Sequence, residues 1–292
     1  MSDMLSPIFR LLPSKSQLLI PPPLLIGIGA LGFVGLCSRV NSYLSRRALN
    51  GVTATLPWDS EREVVVVTGG SSGIGAAIVE LLAHRGIKTL ILDVTEPREE
   101  LRSNTFFFKV DLAKAEAIKS IATNIRSEHG DPTVLINNAG IEFNKPLLGL
   151  EESQIRRTFD VNILAHFLLV QEFLPAMVSL NHGHVVSVAS LASFTTSAIN
   201  VDYALTMSSI FHPGWVRTPL IQKMVDSGVR DGQILEPRDV AEKVVNQIIS
   251  GLGAQVFVPS SHWILPFVRA LPCWAQEAIR NQLSVKRIAA LT

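Results

Sequence analysis

The apolar residues of this chain fall into short blocks separated by glycine, asparagine and charged residues. From residue 63 four valines run to Thr68 and a glycine–serine cluster, after which apolar positions return at Ile74, Ile78, Leu81 and Leu82. An unbroken β-branched run suits a strand buried on both faces, and the later spacing is helical. The same succession recurs. Residues 87–94 (IKTLILDV) predict a second strand, 106–110 (FFFKV) a third, and 133–136 a fourth that runs into Asn137, Asn138, Ala139 and Gly140. A helix is predicted over 114–129, with Ile118, Ile121 and Ile125 on one face. A long helix over 160–180 carries Val161, Leu164, Leu168 and Leu174, and a fifth strand at 184–188 is followed by Ser190. Residues 219–226 and 237–250 read as helices, the second with proline in its first turn, and 255–258 as the last strand. This alternation predicts an α/β protein built on a doubly wound parallel sheet with helices on both faces.

Ligands of such sheets sit beyond the carboxyl ends of the strands. Gly69, Asp93, Asp111 and Asn138 all lie at such ends. In TGGSSGIG, Gly69 and Gly73 let the backbone approach a pyrophosphate, the following helix offers free N–H groups, and Gly75 allows close helix–strand packing. The spacing is a relative of the dinucleotide fingerprint, not a copy of it, and a plain strand–turn–helix is the bland alternative. Asp93 can accept hydrogen bonds from a ribose diol and repels a 2′-phosphate, or it is a simple turn acid. Asn162 near the start of the long helix reads as a cap or a satisfied core amide.

Ahead of this lies a different composition. No charged residue occurs from 16 to 38, and 24–37 (LLIGIGALGFVGLC) is almost wholly apolar. That length suits one membrane crossing of ~20 residues. Residues 18–37 are therefore expected to be an anchor helix, shortened if the prolines at 21–23 interrupt it; a signal peptide and a soluble apolar arm compete. Arg39, Arg46 and Arg47 follow the run, against Arg10 and Lys15 before it, which sets a cytosolic catalytic domain. Gly27, Gly29 and Gly32 form a GxGxxG without a preceding strand, better explained by helix packing in a membrane. The expected organisation is an arm and anchor over 1–48, a linker over 49–62, the folded domain over 63–260 and an apolar tail over 261–292. Within that tail, 263–274 hold three aromatics, two prolines and Arg269, which suits core packing or a lid over an apolar substrate that touches the membrane. A net charge of +1 implies no nucleic-acid partner, and two distant cysteines give neither a disulfide scaffold nor metal-ligand spacing.

TGGSSGIG, Asp111, NNAG, Asn162, Ser190, Tyr203 and PGWVRTP, in this order and spacing, resemble the short-chain dehydrogenase/reductase family over residues 63–259. With the N-terminal apolar run, the chain looks most like its membrane-associated retinol and 17β-hydroxysteroid dehydrogenase branch. The resemblance implies a Rossmann-like fold. Gly69, Ser71, Ser72, Gly73, Ile74 and Gly75 would cradle the pyrophosphate, Asp93 would bind the adenosine ribose, and Asp111 and Leu112 would border the adenine. Asn138, Ala139 and Gly140 would lie along the cofactor, with Val216 and Thr218 at its nicotinamide end. Ser190 would hold the substrate oxygen, Tyr203 would exchange its proton, and Asn162 would fix a relay water. Ser187 and Ser193 rival Ser190, which only the thirteen-residue spacing to Tyr203 selects. Asp93 favours NAD, with NADP as the second choice. The implied setting is a lipophilic alcohol or ketone at the endoplasmic reticulum or a lipid droplet, with room for a homodimer.

The sequence departs from the family in one place. Met207 stands where the family has lysine, and only residues 204–212 separate Tyr203 from Pro213. The family fits a long helix and a parallel strand there, and even a minimal crossover takes ~10–12 residues. A helix and a central strand are therefore expected to be missing, through a mis-spliced gene model, a truncated isoform or true degeneration. The orderly flanks favour the first. Catalysis is expected to be weak or lost, which leaves a nucleotide-binding scaffold protein as the alternative function.

Overall fold

A computed structural model describes residues 58–193, 211–226, 234–272, 274–276 and 278–279, and of the N-terminal part 29, 32–33, 35–41, 43–44 and 47. The chain divides into two compact units, Met1–Val52 and Thr53–Thr292. The described residues of the first unit are helical, and Phe33, Leu36, Val40, Tyr43 and Leu44 are exposed on it. Most of the expected anchor at 18–37 lies outside the described residues, as do Tyr203 and Met207.

The second unit is the expected parallel sheet. Strand β1 (Val64–Thr68) is followed by helix α1 (Gly73–His84), β2 (Lys88–Asp93), β3 (Thr105–Lys109), α2 (Ala115–His129) and β4 (Val134–Asn137). Five strands run in the order β3-β2-β1-β4-β5, with β5 at His184–Ser187, and all pairs are parallel. Side chains alternate between two cores, as the pleat requires. Val65, Val67, Ile91 and Ile136 pack under α1 and the later helix α6, while Val66, Leu90, Leu92 and Leu135 pack under α2 and α4. Helix α6 is Pro237–Ile249, and its Val240, Val244 and Ile248 are fully buried.

The predicted helix over 160–180 is longer than its apolar pattern indicated. It begins as α3 (Glu152–Phe159), passes through a π-helical turn (Asp160–Leu164) and continues as α4 (Ala165–Ser179). Val161, Ala165, Leu169, Phe173 and Met177 form its buried side, whereas Leu164 and Leu174 are exposed. Among the described residues this helix, Glu152–Ser179, is the one long and apolar enough to cross a membrane, yet its buried side packs on the sheet.

The expected loss of a central strand is corrected. Phe211–Pro213 form β6, paired in parallel register with β7 (Val256–Val258). A parallel bridge from Phe211 to Val188 and a 2.7 Å bond from the Ala189 N–H to the Phe211 carbonyl set β6 beside the end of β5. Three residues suffice because Phe211 is fully buried and its backbone is held on both sides. Residues 219–226 form a 3-10 turn (Pro219–Ile221) and the short helix α5 (Gln222–Asp226).

At the amino ends of the strands, opposite the site, Glu63 is buried with its carboxylate 2.8 and 3.0 Å from the His182 Nε2. This bond ties the start of β1 to the turn before β5. Replacing His182 by alanine leaves the carboxylate buried without that partner, which costs about 1.5–3 kcal/mol. Urea unfolding should show this loss, and the Glu63→Met, His182→Leu double variant should recover much of it. A His182→Ala chain as stable as the wild type would contradict this account.

Candidate functional site

The carboxyl ends of β1 and β4 face the point where the strand order reverses, the usual crevice of an open α/β sheet. Gly69 takes φ +64° there, and a Cβ on it would come within 2.9 Å of the Ala139 Cα. A Cβ on Gly75 would overlap the Gly69 carbonyl oxygen, so α1 can lie this close to the turn only with glycine at that place. Ser72 caps α1 without a side-chain hydrogen bond, which leaves the first-turn N–H groups for an anion. The Ser71 Oγ is buried and has no partner among the described residues. A bare helix start, a glycine turn and an orphaned hydroxyl fit a dinucleotide pyrophosphate.

Asp93 ends β2 beside this turn. Its Oδ2 accepts the Ser71 N–H at 3.1 Å and its Oδ1 the Thr95 N–H at 3.1 Å. Each carboxylate oxygen has capacity for a second hydrogen bond, as two ribose hydroxyls require. Lys109 is the register partner of Asp93 on β3 and is exposed, as is Arg98 in the loop. Asp111 is held by the Arg157 guanidinium of α3 at 3.3 and 3.5 Å and by the Ala113 N–H. Leu112 turns its side chain into the core under α2 and α4.

The NAG loop is fastened on two sides. Asn138 donates through Nδ2 to the Thr68 and Gly69 carbonyls, and the N–H groups of Asn138 and Ala139 both donate to the Thr68 hydroxyl. Beyond Gly140, the Asn162 side chain accepts the Ile141 N–H at 2.9 Å and donates to the Ile141 carbonyl at 3.0 Å. Asn162 is buried in the π-helical turn, a distortion common at functional sites. Thr218 precedes the 3-10 turn, and its side chain lies against Gly73, so the loop after β6 meets the glycine turn. Val216 is buried in the core below.

Ser190 follows β5. Its Oγ accepts the Ala192 N–H at 3.1 Å, which leaves the hydroxyl hydrogen as a donor. Ser193 donates its own hydroxyl to the Ser190 carbonyl at 2.8 Å, and Ser187 lies within β5. The structure thus collects Gly69, Ser71–Gly75, Asp93, Asn138–Gly140, Asn162, Ser190 and Thr218 along the carboxyl ends of the strands.

Two contributors escaped the sequence reading. His212 of β6 is buried, stacked on Phe257 at 5.1 Å, with Nδ1 3.4 Å from the Ser190 carbonyl and Nε2 3.0 Å from the Gln255 amide nitrogen. A carbonyl only accepts, so Nδ1 carries the hydrogen and Nε2 accepts from Gln255. The ring therefore links the Ser190 loop to β7. His166, in the first turn of α4, points Nε2 at the Ala139 carbonyl at 3.4 Å. Its place one turn after Asn162 was the signal available.

The short chain dehydrogenase family profile matches residues 63–206. Dehydrogenase RED2 of Cochliobolus heterostrophus is 45% identical over 181 residues, covering 61% of this chain and 68% of that protein. Estradiol 17-beta-dehydrogenase 11 of Macaca fascicularis is 32% identical over 253 residues, covering 77% and 84%. Among solved structures, the 3-ketoacyl-(acyl-carrier-protein) reductase from Brucella melitensis complexed with NADH has the same fold, with TM-score 0.60 and 21% identity over 68% of this chain and 96% of that one.

Two histidines make this half of the sheet acid-sensitive. Burial lowers the pKa of His166, opposed by its bond to Ala139, and burial lowers that of His184. The unfolded chain takes up these protons first as pH falls through about 6.5, so stability is present above that value and declines below it. Urea midpoints measured between about pH 7 and 5 should fall, and less steeply in His184→Asn. An unchanged slope in that variant would remove His184 from the account.

Proposed function

The chain belongs to the short-chain dehydrogenase/reductase family, and on that premise we propose that it interconverts a lipophilic alcohol and its ketone or aldehyde, with NAD as the preferred cofactor. The coarse activity, oxidoreduction of an alcohol or ketone, comes with the family. The observation that carries the finer reading is the crevice in which the glycine turn, the Asp93 carboxylate and the Ser190 hydroxyl stand along one edge of the sheet. The bound nicotinamide supplies the hydride acceptor or donor. The first-turn N–H groups of α1 and Ser71 hold the pyrophosphate, and Asp93 receives the adenosine ribose. Arg157 holds Asp111, which would border the adenine. Ser190 donates its hydrogen bond to the substrate oxygen, and Tyr203 exchanges the proton of that oxygen as general acid or base. Asn162 holds the loop after Gly140 and, from its turn, a relay water.

The lipophilic substrate class is supported by the relative named an estradiol dehydrogenase and by the apolar N-terminal run, which would bring the site to a membrane where such molecules partition. The exposed Phe33, Leu36 and Leu44 support an anchor there, with the catalytic domain cytosolic at the endoplasmic reticulum or a lipid droplet. The exposed row of Leu164 in the π-helical turn and Phe167, Leu174 and Val178 on α4 supports a homodimer. The second reading, a nucleotide-binding protein without turnover, is favoured by Met207 alone. A thioether carries no charge with which to lower the tyrosine pKa from about 10.

Two measurements test this. NADH should bind at least about tenfold tighter than NADPH, because a 2′-phosphate would face the Asp93 carboxylate in a partly dehydrated site. Asp93→Ser should narrow the gap, and tighter binding of NADPH to the wild-type chain would refute the assignment. For turnover, the chain is compared with a version that carries an inserted family-like helical segment before β6, with lysine four residues after Tyr203. Both should bind NADH, while oxidation of a long-chain or steroid alcohol should rise by about two orders of magnitude or more with the insertion. Equal turnover would show that Met207 does not limit catalysis, and turnover of small polyols alone would exclude the lipophilic substrate.

A further inference from the structure

Two connections leave the carboxyl ends of the sheet on either side of Ser190. β5 lies between β4 and β6, so the loop after β4 and the loop after β6 flank the strand that Ser190 follows. The two loops meet. The Asn144 Nδ2 donates to the Leu220 carbonyl at 3.4 Å, across 76 residues of sequence. Asn144 and Leu220 each stand seven residues beyond the ends of their strands, whereas Ser190 stands three beyond β5. A tie made that far out, between the neighbours on both sides, spans the end of β5 with the Ser190 hydroxyl beneath it.

The residue type and the bonding both suit a closure that opens. Asn144 takes φ +53°, in the left-handed region, which asparagine tolerates better than most residues that carry a side chain. The near parts of both loops are fixed. Asn162 holds the two backbone groups of Ile141 at 2.9 and 3.0 Å, Thr218 rests against Gly73, and the buried Ile221 donates its N–H to the Thr218 carbonyl at 3.1 Å. Short bonds thus set each loop, while one long bond between neutral groups joins them. A bond of that kind shifts an opening equilibrium by only about 2–10-fold. Opening it leaves the rest of the crevice in place.

We infer that Asn144 is the gate residue of the crevice: its amide straps the loop after β4 to the loop after β6 above Ser190, and the strap parts to admit a substrate and closes behind it. Asn144 takes no part in the chemistry and governs access to the Ser190 hydroxyl. That the molecule admitted is an alcohol or ketone rests on the function proposed above; the strap itself does not.

The test measures access to position 190 in the full chain, with neither cofactor nor substrate present. Ser190→Cys places a thiol there, and its labelling by N-ethylmaleimide is followed by mass spectrometry, with the exposed Cys37 as the internal reference. Adding Asn144→Gly keeps a residue at ease with positive φ and removes the amide. It should speed labelling at position 190 by about 2–10-fold relative to Cys37. Asn144→Asp keeps the shape but offers the Leu220 carbonyl no donor at neutral pH, and it should speed labelling to a similar extent. Both variants should keep the urea midpoint of the Ser190→Cys parent. Unchanged labelling in both would overturn the inference. So would faster labelling with glycine alone, which would mark backbone freedom and not the amide, or a lower midpoint in both, which would mark a contact that holds the fold and not a gate. Faster labelling in a chain that turns over no alcohol would refute the proposed reaction and leave the strap standing.

Discussion

The Thr68 hydroxyl is fully buried where β1 ends, and it accepts the N–H groups of Asn138 and Ala139 at 2.8 and 2.9 Å while donating to the Ile136 carbonyl at 3.3 Å. The Asn138 amide returns the favour to the Thr68 and Gly69 carbonyls. Two parallel strands whose connections leave in opposite directions must part at this point, and parting strands expose backbone groups that no ladder satisfies. Each such group costs about 1–3 kcal/mol if buried without a partner. Here one hydroxyl and one amide satisfy five of them, so the crevice stays open without that penalty. Gly69 fits against Ala139 because the same bonds draw the two loops together.

The remaining parts of the site are hung from this junction by short, separate ties. Asp93 holds the Ser71 N–H, Asn162 holds both backbone groups of Ile141, and Thr218 rests against Gly73. His212 bridges the Ser190 carbonyl and Gln255 from below. None of these ties passes through residues 194–210. The nucleotide half of the crevice and the position of Ser190 are set by elements on either side of the interval in which the family carries its catalytic lysine.

Much of this was legible in the sequence, and the reasons are local. A strand buried on both faces announces itself by an unbroken apolar run, and its last polar residue is then a site candidate, as Asp93, Asn138 and Ser190 were. Strand β6 was not legible because Phe211–Pro213 have no period of their own; only Val188 and Val256–Val258 define them as a strand. Helix α3 was hidden by a weakly apolar sequence, ESQIRRTF, although Glu151 and Gln154 form a capping box that could have marked its start. The π-helical turn shifts the helical register. That lets Val161 and Ala165 share the buried side and leaves Leu164 in solvent. His212 and Arg157 act across 22, 43 and 46 residues of sequence, a separation that no local pattern reports.

Architecture and chemistry therefore separate in this molecule. Stability comes from the two layers that pack on the sheet and from polar junctions such as Thr68–Asn138, all of which are complete among the described residues. Proton exchange needs something different: a phenol adjusted from about 10 toward neutrality, where each unit of adjustment requires ~1.4 kcal/mol of preferential stabilisation of the phenolate. A packed core supplies none of that, and a methionine at 207 adds no charge to it. The fold, the glycine turn and the position of the Asp93 carboxylate are thus set by contacts that do not depend on that adjustment. The crevice is held by backbone and buried polar bonds, whereas adjusting a phenol asks for one cation placed beside one oxygen.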